Sequence, residues 1–234
     1  MATANTTRPP PLPPEAGRNG TLKAGRNGTL NEVDLEFGAD QRVTASGWGN
    51  AGPLSLLAFA VVTLMISLVN VKAISADVTP AVVAVGLIFG GTTQLIGGLI
   101  QMRNGNTFQG VLFSSFGAFW ISLAAILEWF LKTVPANHQG QALGLLLYGF
   151  TPLVLVLWLA SFRTSAVVVV ALGTVLVTFV LLAMGNYGGS QDIIQIAGVT
   201  GIVAAALAFY LALAELCEYS YGREVLPVWS LAKR

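Results

Sequence analysis

The sequence predicts an all-α integral membrane protein. Six helices cross the bilayer as one bundle, both termini lie in the cytoplasm, and a disordered tail precedes the first helix. Three observations predict it. Only 10% of the 234 residues are charged while 54% are hydrophobic, against about 25% charged in soluble domains. No Asp, Glu, Lys or Arg occurs between Arg42 and Lys72, Asp77 and Arg103, Arg103 and Glu128, Lys132 and Arg163, Arg163 and Asp192, or Asp192 and Glu215. Each of these six windows exceeds the roughly 20 residues that a helix needs to cross a hydrocarbon core of about 30 Å. Lipid offers no hydrogen bonds, so a segment immersed in it closes its own as a helix and turns apolar side chains outward.

The elements follow in order. Residues 1–45 form a Pro/Gly-rich tail. It holds the run Arg8-Pro9-Pro10-Pro11-Leu12-Pro13-Pro14 and a tandem repeat, Ala16–Leu22 returning as Ala24–Leu30. Such a stretch buries too little apolar surface to offset its ordering entropy, and it lacks the basic-then-apolar pattern of a cleaved signal peptide. Asn5, Asn19 and Asn27 each open an Asn-x-Thr sequon, which a cytosolic tail leaves unused. Phe37 and Trp48 place aromatics where the membrane interface begins. Residues 46–228 form the six-helix transmembrane domain and 229–234 a short C-terminal tail. Within that domain the first span covers residues 53–69, opened by Pro53, whose missing N–H is no loss in a first turn. The second covers 80–102, again opened by a proline, the third 108–131, the fourth 141–161, the fifth 165–184 and the sixth 193–217.

Orientation follows from the basic residues. With the N-terminus inside, the inner segments carry Arg8, Arg18, Lys23, Arg26, Arg42, Arg103, Arg163, Arg223, Lys233 and Arg234; the outer loops carry only Lys72 and Lys132. The positive-inside bias therefore puts both termini in the cytoplasm, with the chain a multi-pass protein of the plasma (inner) membrane. A net charge of +1 gives no reason to expect nucleic acid as a partner. Cys217 is the only cysteine and His138, in a polar connection, the only histidine. No zinc site and no Ser–His or Cys–His pair can be assembled from them, and no metal or other cofactor is expected.

Polar residues inside the spans are the candidates for function. Gly49-Asn50 and Gly105-Asn106 precede helices, where an amide and the positive end of the dipole would attract an anion. Gly185-Asn186 follows the fifth helix and reads as its cap. Thr92, Thr93 and Gln94 are candidates to line a pathway, although Thr hydroxyls often bond back to their own helix. Gly86, Gly90, Gly91, Gly97 and Gly98 let the second helix pack closely, against its neighbours or across an oligomer interface. Glu128 and Glu215 bracket the windows as interfacial side chains, either of which could relay a proton. No buried basic residue is available to hold a carboxylate tightly, so a weak-binding, channel-like pathway is the easier one to build.

Several motifs together resemble the acetate uptake transporter family, of the succinate–acetate permease type. Asn50-Ala51-Gly52-Pro53-Leu54-Ser55-Leu56 is similar to its Asn-Pro-Ala-Pro-Leu-Gly-Leu signature. Gly90-Gly91-Thr92-Thr93-Gln94 resembles its second-helix segment. Gly105-Asn106-Thr107-Phe108 with Phe113-Ser114-Ser115-Phe116-Gly117-Ala118-Phe119-Trp120 resembles its central block. Ala183-Met184-Gly185-Asn186 and Gly222-Arg223-Glu224-Val225-Leu226-Pro227 resemble its fifth-helix end and tail. The resemblance implies a six-helix protomer, assembled as a homo-hexamer, with a pathway for acetate or another small carboxylate in each protomer and protons as a second candidate cargo. It also implies an apolar constriction at Phe59, Phe116 and Val175, the last by counting back from Gly185-Asn186. Pro53, Leu54, Thr107 and Ser115 join Asn50, Asn106, Thr92 and Gln94 as substrate-binding candidates. The chain departs from the pattern at Ala51, at Ser55, at Phe116 (a tyrosine in the family) and at Gln101 (often a glutamate).

Other function classes stay in view. A formate/nitrite-like channel would place a histidine or lysine in the bundle; an aquaporin would pair two Asn-Pro-Ala half-helices. An ammonium channel and a non-transporting scaffold remain as alternatives. An enzyme is not expected, because no paired carboxylates or histidines approach one another in sequence near the membrane.

Overall fold

The computed structural model describes residues 48–231; the disordered tail expected over 1–45, with its sequons, its repeat and Phe37, lies outside the described residues. Within them, six helices are long and apolar enough to cross a membrane: α1 (Gly52–Asn70), α2 (Ala76–Arg103), α3 (Thr107–Thr133), α4 (Ala136–Arg163), α5 (Ala166–Gly188) and α6 (Gln191–Tyr221). Each lies on one of the six uncharged windows, and most run a few residues further than hydropathy predicts, with Ser75, Asn106, Ser165 and Ser190 capping N-terminal ends from the polar side.

The ends show the local rules at work. Pro53 stands in the first turn of α1. The Asn106 side chain caps α3 by accepting the Gln109 N–H at 3.1 Å. Asn186 is not a cap. It sits inside α5, its amide donating to the Leu182 carbonyl at 2.8 Å, and the helix ends instead at Gly189, whose φ of 70° suits a residue without a Cβ. Inside α4, Pro152 cannot donate to the chain four residues back, and the residue before it, Thr151, donates its Oγ1 to the Leu147 carbonyl at 2.8 Å.

The second helix is not uniform. Residues Gly86–Thr93 widen into a π turn, and two threonines close it with their hydroxyls: Thr92 Oγ1 donates to Leu87 O at 3.0 Å and Thr93 Oγ1 to Ile88 O at 3.1 Å. A π turn leaves carbonyls poorly paired along its path, so these bonds supply what the backbone lacks.

α1 is the most enclosed helix and α4 the least. α1 packs against α6 and α2, α2 against α3, α5 against α4 and α6. The α2 glycines serve contacts within the chain: Gly90 faces Val62 of α1 and Trp120 of α3. The closest crossing is between α2 and α3, where a Cβ on Gly117 would lie 2.5 Å from the Leu95 backbone N and 2.8 Å from the Gly91 carbonyl. Beyond α6, residues 228–231 return to the α4–α5 turn, where Ser230 pairs with Ser165 and Leu231 N donates to Thr164 O at 2.8 Å.

Because the neighbours of Gly117 are backbone atoms, they cannot move aside as a side chain would. Gly117→Ala is expected to destabilise the bundle by about 1–3 kcal/mol, read as an earlier midpoint of thermal unfolding in detergent, while Gly149→Ala, which meets nothing within 4 Å, leaves it unchanged.

Candidate functional site: two cavities and an apolar plug

Two cavities approach each other from opposite ends of the bundle. The first, of about 230 Å³, opens where α1, α3 and α5 finish, reaching Asn70, Leu127 and Asn186. The second, of about 300 Å³, opens where α3 and α5 begin and α6 ends, reaching Phe108, Gln109, Thr164 and Glu215. Three residues line both: Phe59 of α1, Val175 of α5 and Ala204 of α6. All three are buried. Phe116 closes the second cavity against them and Phe179 the first. The Phe116 ring meets Phe59 edge-on at 5.2 Å between centroids and Phe179 edge-on at 6.0 Å, an arrangement that aromatic quadrupoles favour. An apolar plug thus separates two chambers.

Both chambers are mostly apolar, and among the described residues those that line them include no lysine or arginine and one ionisable side chain, Glu215. Some of their polar atoms have no partner. Among the described residues, four buried side-chain atoms make no hydrogen bond: Thr63 Oγ1, Gln94 Oε1, Ser114 Oγ and Trp120 Nε1. Thr63 and Trp120 belong to the first cavity and Gln94 to the second. A buried polar group without a partner costs about 1–3 kcal/mol, and at these atoms the packing of the chamber walls leaves that cost unmet.

At the outer end of the second cavity a ring of side chains joins α1, α2, α3 and α6. Asn50 Nδ2 donates to Glu215 Oε2 at 3.2 Å and Gln109 Nε2 to Glu215 Oε1 at 3.3 Å. Gln101 Nε2 closes the ring by donating to Asn50 Oδ1 at 2.8 Å and to Gln109 Oε1. Gly52 N also donates to Asn50 Oδ1, at 2.9 Å, and Asn104 Nδ2 donates to Gly49 O at 3.0 Å and to Gln101 Oε1 at 3.4 Å. Glu215 is therefore held inside the protein rather than reaching out to the interface, because two amides compensate for its lost water. Glu128 lies on the surface, 4.0 Å from Lys132.

The sequence candidates separate into groups. Phe59, Phe116 and Val175 meet at the plug. Gln94 and Asn106 line the second cavity, and Asn50 holds Glu215 at its mouth. Leu54, Thr92 and Thr107 are exposed and line neither cavity; Pro53 and Ser115 line neither as well. The Thr92 hydroxyl is committed to its own helix, which is why that candidate points away from the pathway. Phe179, Ala204, Gln109 and the inward role of Glu215 were not legible. An alanine or phenylalanine at a plug reads like any lipid-facing residue, and the ring joins three stretches far apart in sequence, at Asn50, at Gln101 with Gln109, and at Glu215.

Six membrane-length helices around two chambers define a multi-pass membrane protein of the transport class. The chain belongs to the GPR1/FUN34/yaaH family, whose model matches residues 33–233. It is 34% identical over 179 residues to the succinate-acetate/proton symporter SatP of Escherichia coli (strain K12), covering 76% of this chain and 94% of that protein. It is 31% identical over 172 residues to the ammonia transport outward protein 2 of Saccharomyces cerevisiae, covering 71% of this chain and 61% of that protein. Its fold matches the structure of the bacterial acetate channel SatP with a TM-score of 0.72 at 33% identity, covering 77% of this chain and 99% of that one.

Thr63 offers a direct test of the unpartnered atoms. Thr63→Val removes an orphaned hydroxyl at nearly constant volume. It is expected to raise stability by about 1 kcal/mol in thermal unfolding while lowering solute flux through reconstituted protein, a gain in one readout and a loss in the other.

Proposed function

We propose that the chain conducts acetate and related short carboxylates, succinate among them, through one pathway per protomer that passes the plug of Phe59, Phe116 and Val175. The observation that carries this reading is the meeting of two oppositely directed cavities at the same buried residues. It agrees with the names of the SatP relative and the SatP structure.

The chemistry of the plug refines it. An ionised carboxylate loses its hydration with great difficulty in an apolar setting, whereas the neutral acid loses far less. Among the described residues, neither chamber's lining presents a fixed cation to offset the charge. The form that crosses the plug is therefore the protonated acid, and each acid carries its proton with it.

The same proposal includes the arrangement around the pathway: residues 46–228 as the transport domain, both termini in the cytoplasm, the plasma membrane as the location and six copies in a ring. The basic residues support the orientation. The exposed apolar face of α4, with Leu145, Val156 and Leu159 outward, supports lipid or neighbouring copies against it. A second reading, passage of ammonia or ammonium, is favoured by one feature, the acidic character of the only ionisable residue in the linings.

Flux in proteoliposomes decides among these. Labelled acetate is expected to enter, faster when the outer solution is made more acidic than the lumen; uptake of labelled methylammonium with no acetate uptake would establish the second reading. Phe116→Ala removes the ring that closes the second chamber. It is expected to raise the succinate-to-acetate uptake ratio several-fold, and an unchanged ratio would remove Phe116 from the constriction.

A further inference from the structure

We infer that the ring at the mouth of the second cavity is a carboxylate-binding site, with the Glu215 side chain as its tethered occupant and the substrate carboxylate as the competitor that displaces it. This rests on the proposed transport of short carboxylates.

The direction of every amide in the ring is fixed by two backbone groups. Gly52 N–H can only donate, so the Asn50 atom beside it is the oxygen and the atom facing Glu215 is the N–H donor. Gly49 C=O can only accept, so Asn104 turns its nitrogen inward and meets Gln101 Oε1. Gln101 then turns its own nitrogen to Asn50 Oδ1 and Gln109 Oε1, and Gln109 is left with its nitrogen toward Glu215. Two N–H donors, from either side, thus converge one on each oxygen of a carboxylate. Their own oxygens are already engaged, so the acceptor these two nitrogens face in the ring is the Glu215 carboxylate.

The site is built tightly. A Cβ on Gly52 would lie 2.6 Å from Glu215 Oε2 and 3.0 Å from both Asn50 Oδ1 and Gln109 Oε1, so the α1 backbone forms its floor. The hold on Glu215 is loose by comparison. Donor–acceptor distances of 3.2 and 3.3 Å stand at the long end of the N–H···O range, and the side chain is only partly buried, which gives a displaced carboxylate a route to water. Exchanging one carboxylate for another conserves the number and kind of hydrogen bonds. An anion can therefore be accepted here without a lysine or arginine, and it leaves as readily as Glu215 returns.

The test is labelled acetate flux by the full chain in proteoliposomes, over a range of acetate concentrations at fixed pH. Glu215→Gln keeps the shape but gives up the charge-assisted acceptors. The half-saturating concentration is expected to fall about tenfold, the size of one lost charge-assisted hydrogen bond, with maximal flux falling as release slows. Glu218→Gln, a carboxylate one turn away that the ring does not use, leaves it within about twofold, which separates displacement from general charge removal. Asn50→Ala changes half-saturation little in the parent, because it weakens occupant and competitor alike, yet raises it about tenfold in the Glu215→Gln background. Infrared difference spectra of the parent on adding ¹³C-acetate supply a measurement independent of any variant: a protein carboxylate band shifts as Glu215 leaves its donors. A parental or raised half-saturation in Glu215→Gln, equal effects of Asn50→Ala in both backgrounds, or no protein carboxylate shift in a parent that carries acetate would overturn the inference and leave transport standing. A parent that carries no acetate would overturn both.

Discussion

Everything in this molecule answers to one constraint: a hydrocarbon solvent makes no hydrogen bonds, so each polar group on a span must find its partner within the chain. The helices are the first consequence. The finer features follow from the same rule wherever the regular ladder fails. Where α2 widens into a π turn, Thr92 and Thr93 lend their hydroxyls to the carbonyls of Leu87 and Ile88. Where Pro152 interrupts the donor pattern of α4, Thr151 sits beside it with its hydroxyl on Leu147 O. Between α5 and α6, Thr178 and Thr200 share a hydrogen bond of 2.7 Å. Four buried atoms that escape the rule are then conspicuous, and three of them belong to residues that line the chambers.

The fold was legible because that constraint writes itself into the sequence as uncharged windows of fixed length, and no packing detail is needed to see it. Helix ends were less so. Asn186 looked like a cap because it follows Gly185 in a Gly-Asn pair, yet Gly189, able to take a positive φ, stops the helix a turn later. The plug residues Phe59, Phe116 and Val175 came from a resemblance between motifs, and the structure sets them side by side. Phe179 and Ala204 complete that layer and carry no signal of their own, since a membrane helix is apolar on every face. The ring was hidden for a different reason. Asn50, Gln101, Gln109 and Glu215 each sit at a helix end, where polar residues are expected, and only the bundle brings the four ends together.

The two departures from the family pattern at functional positions can be read in the same terms. Phe116 stands where the resembling family has tyrosine. Its ring is buried between Phe59 and Phe179, in a layer whose members offer no polar side chain. A hydroxyl there would have to turn toward a chamber or go unpaired at a cost of about 1–3 kcal/mol, so phenylalanine gives a drier and less selective plug. Gln101 stands where the family often has glutamate. In this ring its nitrogen donates to both Asn50 Oδ1 and Gln109 Oε1; a carboxylate can do neither while ionised. It would compete with Glu215 for the same N–H groups and add a second negative charge to one site. With glutamine, Asn50 and Gln109 are held by their oxygens and both turn a donor toward Glu215. The substitution thus concentrates the ring on one carboxylate at a time, the property that a site exchanging Glu215 for a small acid requires.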